Sequence, residues 1–212
     1  MKMHKIIGLF SLAIVSAMLC GCDLDIPTDL SDQVESLGME TIYPSYSVTV
    51  DKEHYEFADS CFSDIEILGA KLTLPMNVSD LPDGFTIDSY STDSVYNGYY
   101  IDHARLYYYD KEVISVEIMY PIGKEPGDGQ IVALESRSTL LGNNAIIYLG
   151  GEYGFMPINE VIEHFGECEK GDYMTYALGD GRSIRFSYMY SYGNTIEADA
   201  LSIRLDTINK IW

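Results

Sequence analysis

Between residues 104 and 205 the chain repeatedly alternates apolar and polar side chains with a period of two. That pattern confines these segments to sheet strands with one buried and one exposed face. Ile114, Val116, Ile118 and Tyr120 share a face, as do Leu106 and Tyr108. Met174, Tyr176 and Leu178 repeat the pattern, with Tyr173 outside; Ile184, Phe186, Tyr188 and Tyr190 oppose Arg185, Ser187 and Met189. All 18 tyrosines follow residue 42 and nearly half of the chain is apolar, so a packed, β-rich core is expected despite a formal charge of −20.

Punctuation divides this region into two expected modules. Ile65-Glu66-Ile67 and Leu72-Thr73-Leu74 flank Gly69-Ala70 as a hairpin, residues 76 to 84 read as a short helix, and strands 104–109 and 113–120 meet at Asp110-Lys111-Glu112. Pro121 to Gly129 holds two prolines and three glycines and reads as a linker. Beyond it come strands near 131–134 and 145–149, then the best helix, with Pro157 at its start, Val161, Ile162 and Phe165 on its apolar face and Gly166 as its stop. A meander over 173–178, 183–190 and 200–205 closes the chain. Pro75, Asn77 and Gly84 recur as Pro157, Asn159 and Gly166, which suggests a duplication. The expected fold is α+β, two small modules that each pack a short helix on an antiparallel β-meander. The expected boundaries are 45–122 and 131–212, joined by a linker at 123–130.

The N-terminus carries a different kind of signal. Lys2 and Lys5 precede an apolar run from Ile6 to Leu19. As a helix the run covers roughly 21 Å, short of the ~30 Å hydrocarbon core, so it reads as the apolar part of a signal peptide. Leu19-Cys20-Gly21-Cys22 resembles the lipobox of bacterial lipoproteins. The resemblance implies removal of residues 1–21, lipid attachment at Cys22 and display on the extracytoplasmic face of a membrane. Two acyl chains on one residue anchor stably where one binds reversibly. Asp23 follows the lipid site and, in two-membrane bacteria, resembles an inner-membrane retention signal. Residues 22–44 read as an acidic tether, interrupted by Pro27 and Pro44, with one possible helical turn from Ser31 to Gly38.

A second resemblance lies in the later half. Gly154-Phe155-Met156-Pro157-Ile158-Asn159-Glu160-Val161 leads through His164 to Gly166 and is similar to the helix of SmpA/OmlA-type lipoprotein modules. Those share a fold with beta-lactamase inhibitor proteins. Glu160-Val161 and Gly166 fit the pattern, while Pro157 replaces the usual Ser/Thr cap and Cys168 the final proline. The resemblance implies a helix on an antiparallel sheet and a binding role.

Composition narrows the chemistry. Loss of residues 1–21 moves the formal charge from −20 to −22, which disfavours nucleic acid as a partner. No phosphate-cradling glycine motif and no Gly-x-Ser-x-Gly elbow is present. Glu160 and His164 are spaced i, i+4 but read as a solvent-facing pair, and Asp128 and Asp180 lack the spacing of a calcium loop. No metal or cofactor is expected. Asp102-His103 has the composition of a dyad, yet strand neighbours point to opposite faces. Cys61 and Cys168, the two cysteines left beside Cys22, allow one disulfide or two buried thiols. Arg105, Tyr107 and Tyr109 fall on the face opposite Leu106 and Tyr108 and form a candidate binding patch. The expected function is a non-catalytic binding or scaffold lipoprotein with an unknown protein or glycan partner. An inhibitor of a secreted enzyme and a surface hydrolase for glycan or peptide are the alternatives.

Overall fold

Antiparallel strands form where the alternation placed them, but they assemble into one large sheet and one small sheet around a shared core and not into two modules. A computed structural model describes residues 45–138, 146–188 and 199–208. Cys22, the tether and the turn at Ser31–Gly38 lie outside the described residues, as does Tyr190.

Among the described residues, nine strands share the large sheet: β1 (Ser45–Thr49), β4 (Met76–Asn77), β5 (Phe85–Tyr96), β6 (Tyr99–Tyr108), β7 (Lys111–Pro121), β8 (Gln130–Arg137), β11 (Tyr173–Ala177), β12 (Ser183–Ser187) and β13 (Ser202–Asp206). Their order is β1-β11-β12-β13-β8-β7-β6-β5, with the short β4 also on β8. Only the β1–β11 pair is parallel among the pairings of this sheet. Asn97 and Gly98 both have positive φ, the geometry of a tight two-residue hairpin turn whose twist matches its strands.

A smaller sheet holds β2 (Ile65–Ile67), β3 (Ala70–Leu72), β9 (Ile147–Leu149) and β10 (Glu152–Tyr153) in the order β10-β9-β2-β3. Two helices, α1 (Tyr55–Ser63) and α2 (Ile158–Phe165), share the hydrophobic core with both sheets. Phe57 of α1 stacks on His164 of α2 at 4.3 Å between ring centroids, and Phe165 lies 5.2 Å from Tyr176 and 5.3 Å from Phe186. Gly166 ends α2 at φ 95°, a backbone state glycine adopts without strain.

The two-module α+β reading is therefore corrected: the described chain is mainly β. The physical reason lies in the pairing. β2, from the first expected module, pairs with β9 from the second. β13 and β7 flank β8 on its two edges, and β1 pairs with β11. Each half thus completes the other's sheet, and one continuous core runs through both. The Pro/Gly-rich segment after Pro121 connects β7 to β8, which pair side by side. The expected helix at 76–84 is β4 followed by a single 3-10 turn, Val78–Asp80. Thus the supposed repeat of Pro157–Gly166 carries a strand and a turn where α2 has a helix. No described helix is long and apolar enough to cross a membrane.

Candidate functional site

Alternation gives the large sheet an apolar face, buried against the helices and the small sheet, and a polar face that looks away from the core. Strand register then decides which polar residues meet. One rung of opposed residues runs Thr175, Arg185, Arg204, Glu135, Ser115, Arg105 across β11, β12, β13, β8, β7 and β6. The adjacent rung runs Ala177, Ser183, Asp206, Ala133, Glu117, His103. Small residues (Ser115, Ala133, Ala177 and Ser183) lie among the charged ones, so the long side chains wall a concavity floored by alanine and serine. It measures about 530 Å³, and a second hollow of about 190 Å³ shares His103, Glu117 and Arg204 with it.

Arg204 is the centre of this groove. Its Nη2 donates to Glu117 Oε1 at 2.8 Å and to Asp206 Oδ1 at 2.6 Å, while Nε donates to Asp206 Oδ2 at 2.8 Å. Glu135 stands 3.6 Å from Nη1. Burial works against the charge of Arg204, but the hydrogen bonds and charge of Asp206, with Glu135, outweigh it and hold its pKa above the ordinary value. Glu117 is only 3% exposed, and His103 Nδ1 lies 3.6 Å from it. A network this buried is costly to desolvate and does little for net stability, so it marks a site more readily than a staple.

The chain has only five arginines, and four of them (Arg105, Arg137, Arg185, Arg204) stand on this face. Arg137 pairs with Glu135 at 3.5 Å and Arg105 with Glu112 at 3.4 Å. Arg182 lines the rim at the turn between β11 and β12 but sends its guanidinium toward α1. There it bonds Asp59 at 2.7 Å and lies 5.0 Å from the Phe62 ring, while Asp180 holds it from its own turn. The hydrogen bond with Asp180 is the largest influence on both partners: it raises the pKa of Arg182 and lowers that of Asp180.

The residues singled out in the sequence fall in several places. Arg105 and Tyr107 stand on the polar face, at its β6 side. Tyr109 does not join them: β6 ends at Tyr108, Tyr109 sits in the turn with φ 46°, and its ring packs edge-on against Tyr108 at 4.6 Å. Gly84 lets that ring approach, since a Cβ there would lie 2.9 Å from it. Asp102 and His103 do point to opposite faces: Asp102 accepts from Tyr120 Oη at 2.8 Å within the core, and His103 faces the groove. The disulfide weighed between Cys61 and Cys168 is absent, and both are free thiols. Cys61 is buried in α1, which pushes its thiol pKa far up; burial also raises that of Cys168, which sits near Tyr176. His164 is a stacking partner of Phe57. Among the described residues no three His, Cys, Asp or Glu side chains gather as a metal site.

The arginine-centred groove escaped the sequence reading because its members come from five strands. Glu117 and Arg204 stand 87 residues apart. The one signal that pointed there was the scarcity of arginine, with Arg185 and Arg204 both at polar positions of the closing meander. Compared with protein-family models, with curated proteins and with solved structures, the chain matches none.

Proposed function

We propose that this chain is a membrane-anchored, extracytoplasmic binding lipoprotein whose partner is bound in the groove on the polar face of the large sheet. One observation carries the reading: in a chain of charge −20, a half-buried arginine network with three carboxylates and a histidine lies on a concave floor of small residues. Fixed donors and acceptors around a hollow of this size suit recognition of a polar ligand. Lipid on Cys22 would hold the groove outside the cytoplasm.

Two experiments test the two halves of the proposal. A Cys22→Ala variant should leave the membrane fraction; a variant that stays membrane-bound with its signal peptide removed would defeat the lipoprotein reading. A photo-crosslinking side chain at Ser115, in the groove, should capture a species on intact cells that the same group at Lys124, in the β7–β8 loop, does not. Equal capture at both would defeat the groove.

A surface hydrolase is the second reading, because Glu117 and Asp206 converge on one hollow. Against it, Arg204 donates to both, so each carboxylate is already engaged by a side chain of the protein itself. Release of new reducing ends or amines from cell-envelope material, abolished by Glu117→Gln, would establish it. An inhibitor role, suggested by resemblance alone, gains no support from the groove.

A further inference from the structure

Arg185 and Arg204 stand directly opposite each other on the same face of an antiparallel pair. Like charges in that relation repel, with β-carbons ordinarily ~5 Å apart, and a chain with 33 acids and five arginines has had every opportunity to place a carboxylate there. Arg204 is neutralised by Asp206, Glu117 and Glu135. Arg185 is not: among the described residues no carboxylate lies within ion-pair distance, and its guanidinium rests 5.7 Å from the Tyr173 ring centroid. It is exposed, and it lines the larger hollow beside Ser183, Ala177 and Gly181, which leave room next to it.

We propose that the groove receives a small molecule bearing an oxyanion, carboxylate or phosphate, and that Arg185 is the residue that takes the charged group. The proposal rests on the groove being the binding site. A planar guanidinium offers two parallel N–H donors to such a group, and an anion on Arg185 would give it the counter-charge that Arg204 already has from its carboxylates. The remaining wall, His103, Glu117 and Asp206, offers acceptors and donors for hydroxyl or amine groups on the rest of the ligand. The 530 Å³ hollow is of small-molecule size.

Calorimetry on the full-length chain in neutral detergent tests this with D-glucuronate and inorganic phosphate as probes and D-glucose as the uncharged control. Saturable heat with one or both anions, absent with glucose and weakened by added salt, is the expected result. Stronger binding of glucuronate assigns a carboxylate ligand; stronger binding of phosphate assigns a phosphate. Arg185→Ala should weaken binding about tenfold, the factor that one charge-assisted contact supports, and Arg185→Lys should fall between. No saturable binding of either anion, or equal binding by Arg185→Ala, overturns the proposal. Ser183→Trp, which fills the groove, separates this from failure of the site itself. If Ser183→Trp abolishes capture on cells while neither anion binds the native chain, the groove stands and the oxyanion falls. If Ser183→Trp changes neither capture nor anion binding, both fall.

Discussion

The two faces of the large sheet are made by the same strands under the same alternation, but their residues meet different demands. On the inner face Met174, Ile184, Phe186, Ile203 and Leu205 are fully buried, and other side chains of similar volume and apolarity would serve there. On the outer face, the neighbours Arg204, Glu135 and Glu117 depend on identity, because each of these charges is answered by a particular partner. The inner face holds the fold together through area; the outer face places charges and contributes little net stability. Substitutions on the two faces should therefore fail in different ways.

The largest expected effect is on the inner face. Phe186→Ala removes a ring in contact with Phe165 and Tyr176 and should cost about 3–5 kcal/mol in urea unfolding. A loss below about 1 kcal/mol would mean that the core rearranges freely around it. Next comes Arg204→Ala, which takes the guanidinium donor from the buried Glu117 carboxylate and should cost about 3 kcal/mol. The double change Arg204→Met with Glu117→Leu should restore most of that loss while abolishing the capture proposed for the groove. If the double variant is as unstable as the single one, the network holds the fold and the contrast between the faces collapses. Smaller again, Tyr107→Ala with Tyr109→Ala should stay within about 1 kcal/mol of the parent, since Tyr109 is exposed and Tyr107 half-buried on the polar side.

The smallest effect is one of pH. Hydrogen bonds from Arg182 depress the pKa of Asp180 in the folded chain, so its contribution to stability is present above the unfolded carboxylate value near ~3.9. It is lost as pH falls through the lower folded value. Asp180→Asn should therefore make stability less steep with pH below about 4, by no more than ~0.5 kcal/mol because the pair is open to water. A steeper profile in the variant would reverse the sign of the argument.

What the sequence made legible was local. Pro157 and Gly166 bracket α2 within a residue of its ends, and the closing meander's buried residues fall on the face that alternation assigned them. Helix α1 escaped because its buried residues, Ala58, Cys61 and Phe62, make a narrow stripe among polar neighbours and no side chain caps its start. Strand β5 escaped because serine, threonine and aspartate fill a strand that pairs on one side only among the described residues. The loop after Pro121 was misjudged because prolines and glycines serve a hairpin connection and an interdomain linker equally well. The groove was out of reach for a further reason: periodicity assigns a residue to a face, but only long-range register assigns it to a neighbour.

Arg182 gives the groove a mechanical property. Its backbone belongs to the rim and its guanidinium is moored to Asp59 on the opposite side of the sheet. Pulling the rim outward would drag a cation away from Asp59 and off the Phe62 ring, so the mouth is braced from behind. A ligand of the proposed kind would find the Arg182 side of the rim already ordered, with less loop entropy left to remove there. For the proposed ligand, fit at this side of the groove would then rest on the shape already present.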